Sequence, residues 1–172
     1  MRMKYTTVVV DDKKHCLEIM SRMEDEFRKG DERFFIKVME EEPSLVLRVH
    51  AVTILADLGS EAAIPTLSKV LLNDPDPLVR HEAAFTMGQI GLTSGVRALE
   101  EAVSKDKDPI VRHESAAALG SIGSQSAKGT LEAALKDQDE LVRNSAAASL
   151  FNLEFLKTFE VGGTARDRAP RP

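Results

Sequence analysis

Apolar positions in this chain recur at helical spacing, and the helical blocks then recur as units. Val79, Ala83, Met87 and Ile90 fall at intervals of 4, 4 and 3, the spacing that lines one face of an α-helix. Val111, Ser115, Leu119 and Ile122 repeat the stripe with one small polar substitution. Asp76-Pro77 and Asp108-Pro109 stand in front of these stripes. The aspartate side chain there accepts from exposed helix N–H groups, and proline at the first helical position lacks an N–H that would have no intrahelical partner anyway. Gly91 and Gly123 stand where a left-handed C-terminal cap is expected. Shorter amphipathic segments lie between, at about Glu61–Leu72, Thr93–Val103 and Gln125–Lys136. An earlier one, Asp31–Glu42, has Phe34, Phe35, Val38 and Met39 as its apolar face. The pattern predicts four helix pairs from about residue 31 to 157 and an extra helix near Lys13–Arg28.

These blocks are copies of one another. Pro77–Gly91, Pro109–Gly123 and Glu140–Leu153 align directly, and a weaker copy runs from Pro43 to Gly59. Arg48, Arg80, Arg112 and Arg143 share one register, 32, 32 and 31 residues apart. A period in the low thirties describes a helical hairpin stacked on copies of itself, so the expected fold is all-α, an α/α superhelix of about four hairpins. The four arginines are expected to form a ladder with the loop acids Asp74, Asp76, Asp106, Asp108, Asp137 and Asp139, which sets the repeat-to-repeat rotation. The ends read differently. Residues 1–12 form an N-terminal extension with a β-prone run, Tyr5–Val10, and 13–157 make up the repeat domain. Residues 158–172 read as a polar, breaker-rich tail without fixed structure.

Composition narrows the picture. Of 172 residues 42% are hydrophobic but only 5% aromatic, with no Trp and one Tyr, so the core is built from Ala, Leu, Val and Ile. Such a core suits closely packed helices rather than a β-sandwich, which draws on aromatics and β-branched runs. A net charge of −5 argues against a general nucleic-acid binder and favours a basic partner. Cys16 is the one cysteine, which excludes an intrachain disulfide and fits a reducing compartment. No apolar run reaches membrane-spanning length and Met1–Val10 lacks signal-peptide features, so a cytoplasmic protein is expected. No Gly-rich phosphate loop and no serine nucleophile elbow is present, which removes support for nucleotide binding and serine hydrolysis.

Candidate chemistry sits directly after two of the ladder arginines. His81-Glu82 and His113-Glu114 occupy the same register in adjacent repeats, whereas the outer repeats carry Val49-His50 and Asn144-Ser145. Adjacent helices lie about 8–10 Å apart, so side chains at equivalent positions can meet. Two imidazoles and two carboxylates form the nitrogen and oxygen set that holds non-haem Fe(II), and the same set accepts zinc, manganese or nickel. The plainer reading is a helix-surface ion pair, worth little when exposed, doubled by repeat duplication. The zinc-protease spacing is absent, because no second His follows either dyad at the required distance. Gly88 and Gly120, two turns beyond the histidines, either leave room for a ligand or let helices approach. His50 is an accessory-ligand candidate or a plain surface histidine, and His15, beside Cys16, reads as structural.

The stretch from Arg48 to Lys157 resembles one half of deoxyhypusine hydroxylase, a HEAT-repeat non-haem di-iron monooxygenase. The resemblance rests on His81-Glu82-Ala-Ala-Phe85-Thr-Met-Gly88-Gln89 and on Val111-Arg112-His113-Glu114-Ser-Ala-Ala-Ala-Leu119-Gly120-Ser-Ile122-Gly123. It implies a HEAT-like solenoid in which His81, Glu82, His113 and Glu114 bind Fe(II), with Glu82 and Glu114 in catalytic roles. It also implies hydroxylation of a modified lysine side chain on translation factor 5A. The family places four dyads across two halves to hold two irons, whereas this chain has two dyads. A homodimer with a di-iron centre at its interface would restore the count. The alternative is a non-catalytic HEAT scaffold that binds a protein partner along its concave face. A third option, a repeat protein for chromophore attachment, finds no cofactor-attaching cysteine. Neither nucleic acid nor membrane is an expected partner.

Overall fold

A computed structural model describes residues 13–162, with side chains to Thr158. The 1–12 extension and positions 163–172 of the tail lie outside the described residues. Nine α-helices follow one another among those described: α1 (Lys13–Lys29), α2 (Glu32–Glu41), α3 (Leu45–Leu58), α4 (Ile64–Asn73), α5 (Pro77–Ile90), α6 (Val96–Lys105), α7 (Pro109–Ile122), α8 (Lys128–Ala134) and α9 (Glu140–Gly162). The helix α9 runs past the boundary at 157 read from the sequence. Tight 3₁₀ turns, Thr93–Gly95 and Gln125–Ala127, open the hairpins that α6 and α8 continue. The caps form as expected. Asp76 accepts from the Leu78 N–H and Asp108 from the Ile110 N–H, both just ahead of a first-turn proline. Gly91 and Gly123 close α5 and α7 at φ 75° and 74°, backbone that side-chain-bearing residues resist. Among the described residues no helix is long and apolar enough to cross a membrane.

The helices α2, α4, α6 and α8 form one layer, and α3, α5, α7 and α9 the other. Between them lies a continuous aliphatic core that includes Leu47, Leu55, Leu67, Leu71, Val79, Met87, Leu99, Val111, Leu119 and Leu131. The second layer is the more closely packed, and small residues make it so. A Cβ added at Gly88 would lie 3.0 Å from the Ala118 Cα, and one at Gly120 would lie 2.9 Å from the Ser149 Cα. Of the two roles open to these glycines, helix approach is the one realised. Buried hydroxyls stitch the same seam: Thr86 donates to the Val52 carbonyl at 3.1 Å and Ser149 to the Ala116 carbonyl at 2.8 Å. Closer spacing in one layer bends the stack toward it, so α3, α5, α7 and α9 line the inner, concave side.

The arginine ladder fixes the stagger. Arg48 grips both carboxylate oxygens of Asp74 through its Nε and Nη2, at 3.0 and 3.3 Å. Arg80 grips Asp106 at 2.7 and 2.9 Å, and Arg112 grips Asp137 at 2.8 and 2.9 Å. Each guanidinium also donates from Nη1 to a carbonyl of the preceding loop: Pro43 for Arg48, Asp74 for Arg80, Asp106 for Arg112 and Asp137 for Arg143. Asp74, Asp106 and Asp137 are therefore each held twice, by side chain from one repeat and by carbonyl from the next. The remaining expected acids, Asp76, Asp108 and Asp139, cap helices instead. The Arg112 bond holds the Asp137 carboxyl below the usual carboxylate range.

Two outcomes follow from this packing. Asp74→Ala leaves the buried Arg48 guanidinium without its carboxylate and is expected to cost about 3–5 kcal/mol in urea unfolding, whereas Asp76→Ala, which removes only a cap, costs about 1 kcal/mol. Gly120→Ala gains helix propensity of about 1 kcal/mol, yet the crowding against Ser149 outweighs it. It lowers stability by about 1–3 kcal/mol, and a Gly120→Ala protein at least as stable as the parent would contradict the seam.

Candidate metal centre

The two dyads stand in the second turn of α5 and of α7, immediately after a clamped arginine. With Arg80 and Arg112 turned into the ladder, the next two residues of each helix point away from it, onto the concave side. The structure joins these side chains diagonally across neighbouring helices. His81 Nε2 lies 3.3 Å from Glu114 Oε2, one repeat on. The same carboxylate oxygen lies 3.9 Å from His113 Nε2. His113 Nδ1 in turn meets the hydroxyl of Ser145, one repeat further. At the other end His81 Nδ1 lies 3.4 Å from Glu82 Oε1. One row therefore runs Glu82, His81, Glu114, His113, Ser145 across α5, α7 and α9, with all four dyad side chains half-buried.

The geometry brings all four predicted residues together but gives them unequal places. Glu114 sits between both imidazoles, whereas Glu82 faces His81 alone, because its diagonal neighbour on α3 is Val49. His50 is not among the side chains that the contacts of the row join; its carbonyl accepts from the Thr53 hydroxyl. His15 is structural, its Nε2 3.1 Å from Glu42 Oε2 where α1 meets the turn into α3, and Cys16 lies against Ser44 there. Ser145 is the member that sequence reasoning passed over. It occupies the glutamate position of the repeat, and that register was its only signal.

The carboxylate of Glu114, with Glu82 behind it, holds the His81 imidazole above the usual histidine range, against a smaller opposing push from burial. His81 Nδ1 is nonetheless a buried nitrogen without a hydrogen bond, since its approach to Glu82 is long and poorly directed. Two imidazole nitrogens and a carboxylate oxygen around one point are donors of the kind that Fe(II), Mn(II) or Zn(II) accepts, so the residue types fit a metal. Their convergence is partial: among the described residues no three His, Cys, Asp or Glu side chains form a group ready to hold an ion. No free cation competes for this face from the ladder, because Arg48, Arg80 and Arg112 are engaged with aspartates. Apolar side chains flank it. Leu78 and Ile110 precede the dyads by one turn and Phe85 follows His81 by one, and all three are exposed.

Comparison with known proteins agrees with this architecture. The family description for HEAT repeats matches residues 32–119 and again 67–151. A solved structure of human deoxyhypusine hydroxylase in complex with glycerol superposes with a TM-score of 0.67 at 29% sequence identity. The match covers 73% of this chain and 44% of that one, so the chain spans less than half the length of the protein it resembles. No curated protein sequence matches the chain. Stacked hairpins with a shared arginine clamp, matched from residue 32 to 151, make this chain a member of the HEAT-repeat family, similar in structure to deoxyhypusine hydroxylase.

Proposed function

We propose that the chain is a non-haem iron monooxygenase of the deoxyhypusine-hydroxylase type. The observation that carries this reading is a single carboxylate oxygen of Glu114 within 4 Å of two imidazole nitrogens from adjacent repeats. His81, His113 and Glu114 would hold Fe(II) directly, with Glu82 as the fourth donor on the His81 side. Bound iron would supply the dioxygen-activating chemistry that no side chain here provides. The residues themselves bind and orient. Glu82 and Glu114 offer negative charge to an ammonium group, and Leu78, Ile110 and Phe85 offer apolar surface to the alkyl stem beside it. That combination suits the modified lysine side chain of translation factor 5A, the substrate the resemblance implies. Cys16 as a free thiol is in keeping with a cytoplasmic location.

The partial convergence of donors supports completion of the site by a second copy. The outer face of α9 offers a place for one. Phe151 occupies the register of Gly88 and Gly120, the position turned toward the next repeat, and is 75% exposed, with Phe155 exposed beside it. A second reading has its own support. Val46, Leu78, Ile110 and Leu141 share one register and are all exposed, which gives the concave side an aliphatic stripe along several repeats. A non-catalytic scaffold would use such a stripe to hold an extended polypeptide.

Metal analysis coupled to light scattering separates the readings. Protein from iron-supplemented cells is expected to carry about two irons per dimer, and His113→Ala to lose them while keeping its helical circular dichroism. A metal-free monomer that stays so after anaerobic Fe(II) addition leaves the scaffold. Without metal, His81 is expected to titrate above the ordinary histidine value of 6.5. Its contribution to stability is then full below that value and lost as pH rises through the raised one. Protons and metal compete for the same nitrogen, so Fe(II) affinity falls on acidification through that range. An NMR titration that puts His81 at or below 6.5 would contradict the Glu114 contact.

A further inference from the structure

The two imidazoles in the row are held differently. His81 presents Nε2 to Glu114 and leaves Nδ1 buried without a hydrogen bond. His113 presents Nε2 to the same oxygen at 3.9 Å, and its Nδ1 is in close contact with the Ser145 hydroxyl of α9. An imidazole has one lone pair when neutral, and the partner of one ring nitrogen decides where that pair lies. A hydroxyl accepts a proton as readily as it gives one. If Ser145 accepts from Nδ1–H, the His113 lone pair sits on Nε2 and faces a carboxylate oxygen. The 3.9 Å between them is too long for a hydrogen bond, so Glu114 does not hold a proton on Nε2. A cation between the two would be attracted by both.

We infer that Ser145 is a positioning residue: it accepts from His113 Nδ1–H, fixes the ring from the neighbouring helix, and leaves Nε2 as the metal donor. This inference rests on the metal reading above and deepens it. It also explains the departure of the last repeat from its predecessors. The register that carries Glu82 and Glu114 carries Ser145 on α9, where a second carboxylate is replaced by a neutral hydroxyl that holds the ring. Histidine ligands commonly have their second nitrogen held in this way, and loss of such a partner typically costs 10–100-fold in metal affinity. Ser145 is followed by Ala146, Ala147 and Ala148, so alanine at this position suits the helix and the variant is expected to fold.

The test uses the full chain as wild type, Ser145→Ala and Ser145→Thr. Imidazole ¹⁵N spectra of the metal-free proteins report which ring nitrogen of His113 carries the proton, and Co(II) titration under anaerobic conditions, read by visible absorption, reports affinity. Wild type is expected to show the Nδ1–H form. Ser145→Ala loses that preference and binds Co(II) 10–100-fold more weakly, and Ser145→Thr, which keeps the hydroxyl, restores both. A Ser145→Ala protein with the tautomer and Co(II) affinity of wild type overturns the role of Ser145 and leaves the metal reading intact. Wild type that binds no Co(II) overturns the metal reading and this inference with it.

Discussion

The clamp between repeats is the contact on which the rest of the molecule depends. In α3, α5 and α7 a guanidinium reaches a carboxylate in the following loop and a carbonyl in the preceding one, and in α9 Arg143 holds only the carbonyls of the preceding loop. Because the aspartate is bound through its side chain by one arginine and through its carbonyl by the next, neighbouring repeats cannot slide without breaking several charge-assisted bonds at once. The first rungs are almost fully withdrawn from water. Such pairs contribute little net stability compared with apolar packing, but an unpaired member is costly. Their effect is therefore on geometry: they set the rotation and rise from one hairpin to the next.

That geometry places the chemistry. The clamped arginine is followed directly by the histidine and glutamate, so the stagger that the ladder imposes is passed on to the dyads within one or two residues. The result is a diagonal row in which each histidine meets the glutamate position of the next repeat more closely than the glutamate of its own dyad. Glycine and alanine in the seam between α5, α7 and α9 bring the helices close enough for side chains as short as serine to join the row. Packing and site are thus one arrangement: a wider seam would leave His113 beyond the reach of Ser145.

The same face carries two kinds of surface. Carboxylates and imidazoles lie at its centre, and exposed aliphatic side chains recur along it at the repeat spacing. With the ladder arginines turned away, the central patch presents nitrogen and oxygen donors without a counter-charge from the clamp. Under the proposed function it would receive a cation, and the aliphatic flanks would extend it to a partner with an apolar stem.

Periodicity alone determined the helices, their caps, the repeat register and an arginine ladder set against the loop acids, because each depends on residues close in sequence or on one repeated spacing. Asp76-Pro77 and Gly91 bound a helix whatever lies beside it. The dyads were legible for the same reason: two identical pairs in one register stand out against Val49-His50 and Asn144-Ser145. Periodicity shows which face a side chain occupies but not how far one helix is staggered against the next. Only the tertiary structure decided that Glu114, not Glu82, lies between the imidazoles, that Ser145 completes the row, and that Gly88 and Gly120 serve helix approach. It also divided six loop acids into clamps at Asp74, Asp106 and Asp137 and caps at Asp76, Asp108 and Asp139. The physical reason is that stagger arises from guanidinium reach and from the closeness of the small-residue seam, contacts made between residues some thirty positions apart.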